Sequence, residues 1–271
     1  MKFAHVARKL YAEPWMILPE IHQRLQGIFE QHLAGVSIPF EMPEDPEEPE
    51  YEVAGSVAVI PVKGVISREI SAMEKMCGGF DLCDLHEMLD DAEQDELVKA
   101  IVLDIDSPGG SVTGTEEAAA RIRESSKPVI ASVSGMAASA AYWLASQARA
   151  VYSTESAQTG SIGVYMALLD QTRRMEMEGV RVDLIKSEGS PLKAAGLPGV
   201  PLSEEQRANL QGQVDYLYAR FTAAVSSTRR RLSADATKGG TFYGSAAKAA
   251  GLVDSIADLN TAIRDAAKLA G

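Results

Sequence analysis

Histidine and cysteine are both scarce in this 271-residue chain, and each shortage removes a class of chemistry. Of the four histidines, His5, His22 and His32 fall in the N-terminal arm, away from the other chemistry-bearing motifs. His86 lies in a stretch, Leu82 to Ala92, whose Leu82, Leu85 and Leu89 mark the buried stripe of a helix, so it reads as a surface residue and not as a base. The two cysteines, Cys77 and Cys83, lack the close spacing of a zinc or redox pair and read as free thiols. No His/Asp/Glu group shows ligand spacing either, so neither metal nor cofactor is expected. No stretch reaches the roughly eighteen uninterrupted apolar residues of a membrane span. Lys2, Arg8 and Lys9 are not followed by the apolar core of a signal peptide, so the expectation is a cytoplasmic chain without a membrane anchor. A net charge of −12 argues against a nucleic-acid surface. The one basic run, Arg229-Arg230-Arg231, is short and reads as solvated.

The length suffices for one substantial core plus an appendage. Residues 1–40 carry an amphipathic helix from Pro19 to Leu33, with Ile21, Leu25, Ile28, Phe29 and Leu33 on one face, suited to an interaction or docking arm. A proline-rich acidic run from Glu41 to Glu50 forbids helix and favours an extended linker, which sets a boundary between an arm over residues 1–50 and a main domain over 51–271. From Ser56 onward, β-branched apolar runs alternate with helical patterns: strands over Val57 to Val62, Lys99 to Ile105, Pro128 to Val133, Ala150 to Ser153 and Val180 to Ile185. Helices are expected near Leu82 to Ala92, Thr113 to Glu124, Ser139 to Gln147 and Ser203 to Thr228, the last opened by a capping box of Ser203 and Gln206. Leu210, Val214, Leu217 and Phe221 line one side of that last helix. The alternation is that of an α/β fold around a mostly parallel sheet.

Two loops follow successive strands at the ends where open α/β sheets bind ligands: Asp106-Ser107-Pro108-Gly109-Gly110 and Ser134-Gly135-Met136-Ala137-Ala138-Ser139. Small residues around Ser139 allow a backbone to approach closely, and glycines can aim N–H groups at an oxygen gaining negative charge. Read singly, Ser139 is equally a helix cap and Gly109-Gly110 equally a turn; together they suggest a nucleophile with its oxyanion loop. With no histidine to hand, the remaining base is a lysine. An unperturbed lysine is neutral in only roughly one molecule in 2,500 at pH 7, so burial must lower its pKa. Lys186 and Lys193 are candidates; Lys193, between Leu192 and Ala194, suits desolvation better than Lys186, which has Glu188 two positions away.

These motifs, with Thr159-Gly160-Ser161-Ile162-Gly163-Val164 and the late Gly251-Leu252-Val253-Asp254, resemble the signal peptide peptidase A family of serine–lysine proteases, including phage members that process capsid proteins. The resemblance covers most of residues 55–260 and extends weakly into Pro14-Trp15-Met16-Ile17. It implies a crotonase or Clp-like superhelix of ββα units, with Ser139 as nucleophile, Lys193 as general base and then acid, and Ser161 orienting the amine. Gly110 and the N–H of Ala140 form the implied oxyanion hole, with Gly109 beside them. It also implies rings whose sites combine residues of neighbouring subunits. Ala140 and Ala141 stand where the family often has glycine, narrowing the pocket.

The expectation is therefore a serine endopeptidase acting through an acyl-enzyme on protein substrates, with an apolar S1 pocket near Ser139. Capsid scaffold and coat proteins are the expected partners, in the host cytoplasm or the prohead interior. The alternatives are signal-peptide degradation, an inactive scaffold of the same fold, and an acyl-CoA enzyme of the crotonase fold. The last would need acidic catalytic groups and a nucleotide surface that the chain does not offer.

Overall fold

A computed structural model describes residue 6 and residues 9–11, 13–35 and 50–269. Among them the strands, in chain order, are β1 (Trp15–Ile17), β2 (Glu52–Ala54), β3 (Val57–Lys63), β4 (Val65–Ser67), β5 (Gly79–Asp81), β6 (Ala100–Ser107), β7 (Gly109–Ser111), β8 (Val129–Ala138), β9 (Ala150–Ser153), β10 (Gln158–Gly160), β11 (Thr241–Tyr243) and β12 (Ser255–Ile256). The larger sheet runs β11-β10-β8-β6-β3-β2, with β9 on β8 and β12 on β9; the smaller runs β1-β7-β4-β5. The β3–β6, β6–β8, β8–β9 and β8–β10 pairs are all parallel.

Both faces of the large sheet are covered, which is why its central strands read as continuous apolar runs. Side chains alternate between two cores: Ala58, Ile60, Ile101 and Leu103 pack with Leu85, Leu89, Ile122 and Leu144 on one face. Val57, Ala100, Val102 and Ile130 meet Ala262 and Ala266 of the helix Leu259–Leu269 on the other. Burying these branched side chains contributes about 1.5–3 kcal/mol each.

The amphipathic arm helix spans Pro19–Leu33, as its periodicity indicates. The helices Leu82–Gln94, Thr115–Arg123 and Ala140–Ser146 also stand where expected, within a few residues. Glu204–Thr228 opens on the expected capping box, Ser203 accepting from the Gln206 N–H while the Gln206 side chain accepts from the Ser203 N–H. Phe221 of this helix stacks on Trp143 with ring centroids 4.8 Å apart, while Leu210, Val214 and Leu217 are only half-buried. Cys77 and Cys83 are free thiols. The acidic run Glu41 to Glu50 lies outside the described residues except for Glu50.

Three expectations are corrected. Ser134 to Ala138, expected as a loop, continues β8, and Gly109 to Ser111 of the other expected loop forms β7. Val180 to Ile185 forms no strand: it belongs to a long irregular segment with Val180 exposed and Ile185 95% exposed. The alternating pattern finds no sheet edge among the described residues, and its charges, Arg181 and Asp183, pair with each other at 3.1 Å in solvent. Arg229 is not solvated. It is buried and donates to the carbonyls of Ser146 and Ala148 and to the Asp254 carboxylate, so its charge satisfies the C-terminal end of the helix Ala140–Ser146.

Arg229→Ala leaves these carbonyls unpaired in the interior. It is expected to lower unfolding stability by about 3 kcal/mol, read from urea denaturation, whereas exposed Arg230→Ala stays within about 0.5 kcal/mol.

Candidate active site

The strand β8 leads directly into Ser139, and its register carries an irregularity just before. Ile105 of β6 faces Val133, but Ser107 faces Ala137, so β8 holds two extra residues around Gly135. A Cβ on Gly135 would run into the Asp106 carboxylate, which explains why the smallest residue stands there. Such bulges bend a strand and re-aim the residues beyond them.

Ser139 comes next, with φ 56° and ψ −118°, a conformation that costs a non-glycine residue roughly 1–3 kcal/mol. Its backbone is held at both ends, the N–H donating to Gly160 O at 2.8 Å and the carbonyl accepting from Trp143 N–H at 3.0 Å. The side chain is almost fully buried, its Oγ donating weakly to Gly163 O at 3.5 Å, and it makes no cap bond to its own helix. A strained serine at a strand-to-helix turn is also the backbone setting of a nucleophile elbow. Ala140 opens the helix, so its N–H has no acceptor within it.

The glycine loop lies against this junction. Gly109 has φ 96°, and a Cβ there would strike the Met16 carbonyl, lie 2.8 Å from Ala138 O and 3.0 Å from Ala140 N. Its N–H donates to Ser107 Oγ at 3.2 Å, and that hydroxyl donates in turn to Gly64 O at 2.6 Å. The positive φ and the backbones around Gly109 leave no room for a side chain there. Gly110 has its own steric demand, because a Cβ would collide with the backbone of Ile66.

The parallel pairing of β10 with β8 sets Gly160 beside Ala138 and carries Ser161 to the same end of the sheet. Ser161 is buried with φ 53°, its N–H donating to Gly240 O at 2.7 Å. Ser139, Ser161, Gly109, Gly110 and Ala140 are therefore brought together.

Lys193 stands apart from them. It lies on the exposed irregular segment between the helices Thr172–Met177 and Glu204–Thr228, and among the described residues its amine makes no hydrogen bond or ion pair. Its backbone is fixed: the carbonyl accepts from the buried Gln206 amide at 3.0 Å, and the next residue, Ala194, has φ 62°. Lys186 instead donates to Pro191 O at 2.6 Å and braces the same loop. Within one chain, no base reaches Ser139 by a hydrogen bond among the described residues. His86 is half-buried on its helix, and His22 is buried between Tyr165 Oη at 2.9 Å and Leu10 O at 2.8 Å. Burial, with the nearby Glu20 carboxylate, pushes the Tyr165 hydroxyl up to about 12, which keeps it neutral. Tyr165 and β1 were not among the site residues expected; their only signal was the faint Pro14-Trp15-Met16-Ile17 likeness.

The profile of peptidase family S49 matches residues 121–271, which hold Ser139, Ser161 and Lys193. The chain belongs to peptidase family S49. Among curated relatives, Protease 4 of Salmonella typhi is 35% identical over 225 residues, covering 81% of this chain and 35% of that protein. Capsid assembly protease C of Escherichia phage lambda is also 35% identical over 225 residues, covering 80% of this chain and 50% of that one. The chain thus spans half or less of the length of these two S49 relatives. Among solved structures, an Mtb enoyl-CoA isomerase aligns with a TM-score of 0.50 at 20% identity, over 83% of this chain and 85% of that one, which shows the crotonase-like fold alone.

A methyl group separates the two glycine environments from an ordinary one. Gly110→Ala is expected to cost several kcal/mol or abolish folding, since backbone cannot yield as a side-chain tip can, whereas Gly163→Ala, whose nearest neighbour would be Gly239 Cα at 3.7 Å, keeps the parent melting temperature.

Proposed function

We propose that this chain is a serine endopeptidase in which Ser139 attacks a peptide carbonyl and Lys193 of a neighbouring copy serves as base. The observation that carries the reading is the strained, buried Ser139 beside the N–H groups of Gly110 and Ala140, in a member of family S49. The neutral lysine amine takes the hydroxyl proton as Oγ bonds to the carbonyl carbon. The oxygen turns negative against the two N–H groups, which are worth about 3–4 kcal/mol each in such sites. The tetrahedral adduct collapses as the lysinium returns the proton to the departing amine, leaving an ester on Ser139. Water, deprotonated by the same lysine, hydrolyses that ester. Ser161 orients the amine.

A lysine acts as base through its neutral form, which cover from solvent favours. A second subunit supplies the cover. The segment bearing Lys193 and the helix Thr172–Met177 before it, with residue 169 just upstream, expose Leu169, Met177, Val180, Ile185 and Leu197, an apolar set that fits burial against another copy. A homo-oligomeric ring satisfies this, with each loop reaching the next Ser139. Substrates are proteins; the relative named as a capsid assembly protease favours scaffold and coat proteins, processed in the host cytoplasm or prohead interior. Among the described residues no helix is long and apolar enough to cross a membrane.

Ser139→Ala and Lys193→Ala are each expected to abolish casein hydrolysis. Mixing the two dead variants should restore up to about a quarter of parent activity if neighbours pair at random and complete each other's sites. A mixture as dead as its components would mean that serine and lysine must share one chain.

A further inference from the structure

The chain's own β1 lies along β7, beside the junction that carries Ser139. On one side Trp15 N–H donates to Tyr165 O at 2.8 Å and Tyr165 N–H donates to Trp15 O at 3.1 Å. On the other, β1 runs antiparallel to β7 with Trp15 opposite Ser111, Met16 opposite Gly110 and Ile17 opposite Gly109. Leu18 N–H donates to Pro108 O at 3.2 Å, and because hydrogen-bonded pairs alternate along an antiparallel ladder, Met16 and Gly110 form the next bonded pair. The Gly110 N–H, one of the two candidate oxyanion donors, is therefore aimed at the Met16 carbonyl. The same carbonyl borders the position of a Cβ on Gly109 that also borders Ala140 N, the other donor. Met16 is fully buried.

A strand bonded on both sides to loops distant in sequence, with one carbonyl between a glycine N–H and a helix N-terminus, has the geometry of a peptide substrate added as a strand. We infer that the N-terminal arm occupies the peptide-binding cleft as an internal competitor, with Met16 in the place of the residue before the scissile bond. The inference rests on the peptidase reading and extends it: substrates bind as extended strands with an unbranched apolar residue at the Met16 position, and only after β1 leaves. The arm is anchored by a small cluster of its own, Leu10, Trp15, Ile17 and Phe29 against Val65 and Tyr165, with Trp15 Nε1 donating to Lys9 O at 2.8 Å. Release therefore leaves most of the main core intact.

The full-length chain carrying Phe29→Asp, which disrupts that cluster without touching the site, tests this. A fluorophosphonate should label Ser139 at least tenfold faster than in the parent, and a synthetic peptide of residues 12–26 added in trans should slow labelling again, while the same peptide carrying Met16→Asp should not. Equal rates in parent and variant, with hydrogen exchange showing β1 released, would overturn the inference and leave the peptidase reading standing. Labelling of neither protein would sink both. In the parent chain, a peptide boronate with a methionine side chain next to boron, bound at Ser139, should deprotect the Trp15 and Met16 amides, and unchanged protection there would also overturn the inference.

Discussion

The φ of 56° at Ser139 is maintained because nothing adjoining it can move. All seven residues of the helix Ala140–Ser146 are buried. So short a helix is unstable alone, and it persists through packing. Trp143 is clamped on Phe221 and the far end is satisfied by Arg229, so the helix cannot rotate to relax its first residue. On the other side, the Ser139 N–H is committed to Gly160 O, which ties the turn to β10. The strain is a small fraction of the burial that over-determines it, and it leaves the Ser139 side chain free of its own helix.

The neighbouring β7 explains why the loop needs two glycines for two reasons. Gly109 requires a positive φ and a close approach from three backbones; Gly110 has an ordinary φ but lies too near Ile66 for a methyl group. With β4 bonded along its other edge, β7 has one edge left to offer. Whatever binds there does so through main-chain groups, which makes the cleft tolerant of sequence except where a side chain is buried, as that of Met16 is.

The central strands and most helices were legible because their determinants are local: alternating β-branched runs, apolar stripes, and the Ser203 and Gln206 pair that opens the long helix. The nearness of Ser139 to Gly109 was legible from strand order, since both follow adjacent parallel strands, but Ser134 to Ala138 continues β8 and Gly109 to Ser111 forms β7 where loops were expected. Arg229 was misread because its partners, the Ser146 and Ala148 carbonyls, are helix-end groups that no composition reveals. Val180 to Ile185 was misread because alternation predicts a strand only if an edge is free to receive it. The role of β1 stayed hidden for a related reason. Four apolar residues between Pro14 and the helix start at Pro19 carry no periodicity, and their pairing with β7 and Tyr165 is set entirely by tertiary contact.

On the peptidase reading, the isolated chain is inert twice over: no amine hydrogen-bonds Ser139 among the described residues, and β1 fills the cleft. Different encounters relieve the two conditions, a neighbouring copy bringing Lys193 and a substrate displacing the arm. The second is set by effective concentration. The main-chain hydrogen bonds of β1 contribute about 1 kcal/mol each, no more than any apolar peptide would gain in its place. Tethering, however, holds the arm at about millimolar effective concentration, and a free peptide with equal contacts must exceed that to win. A dilute bystander protein, offering one brief unfolded segment, falls far below it. A substrate packed with the peptidase into a shared assembly does not, so the same arm that silences the enzyme in dilute solution yields where substrate is concentrated around it.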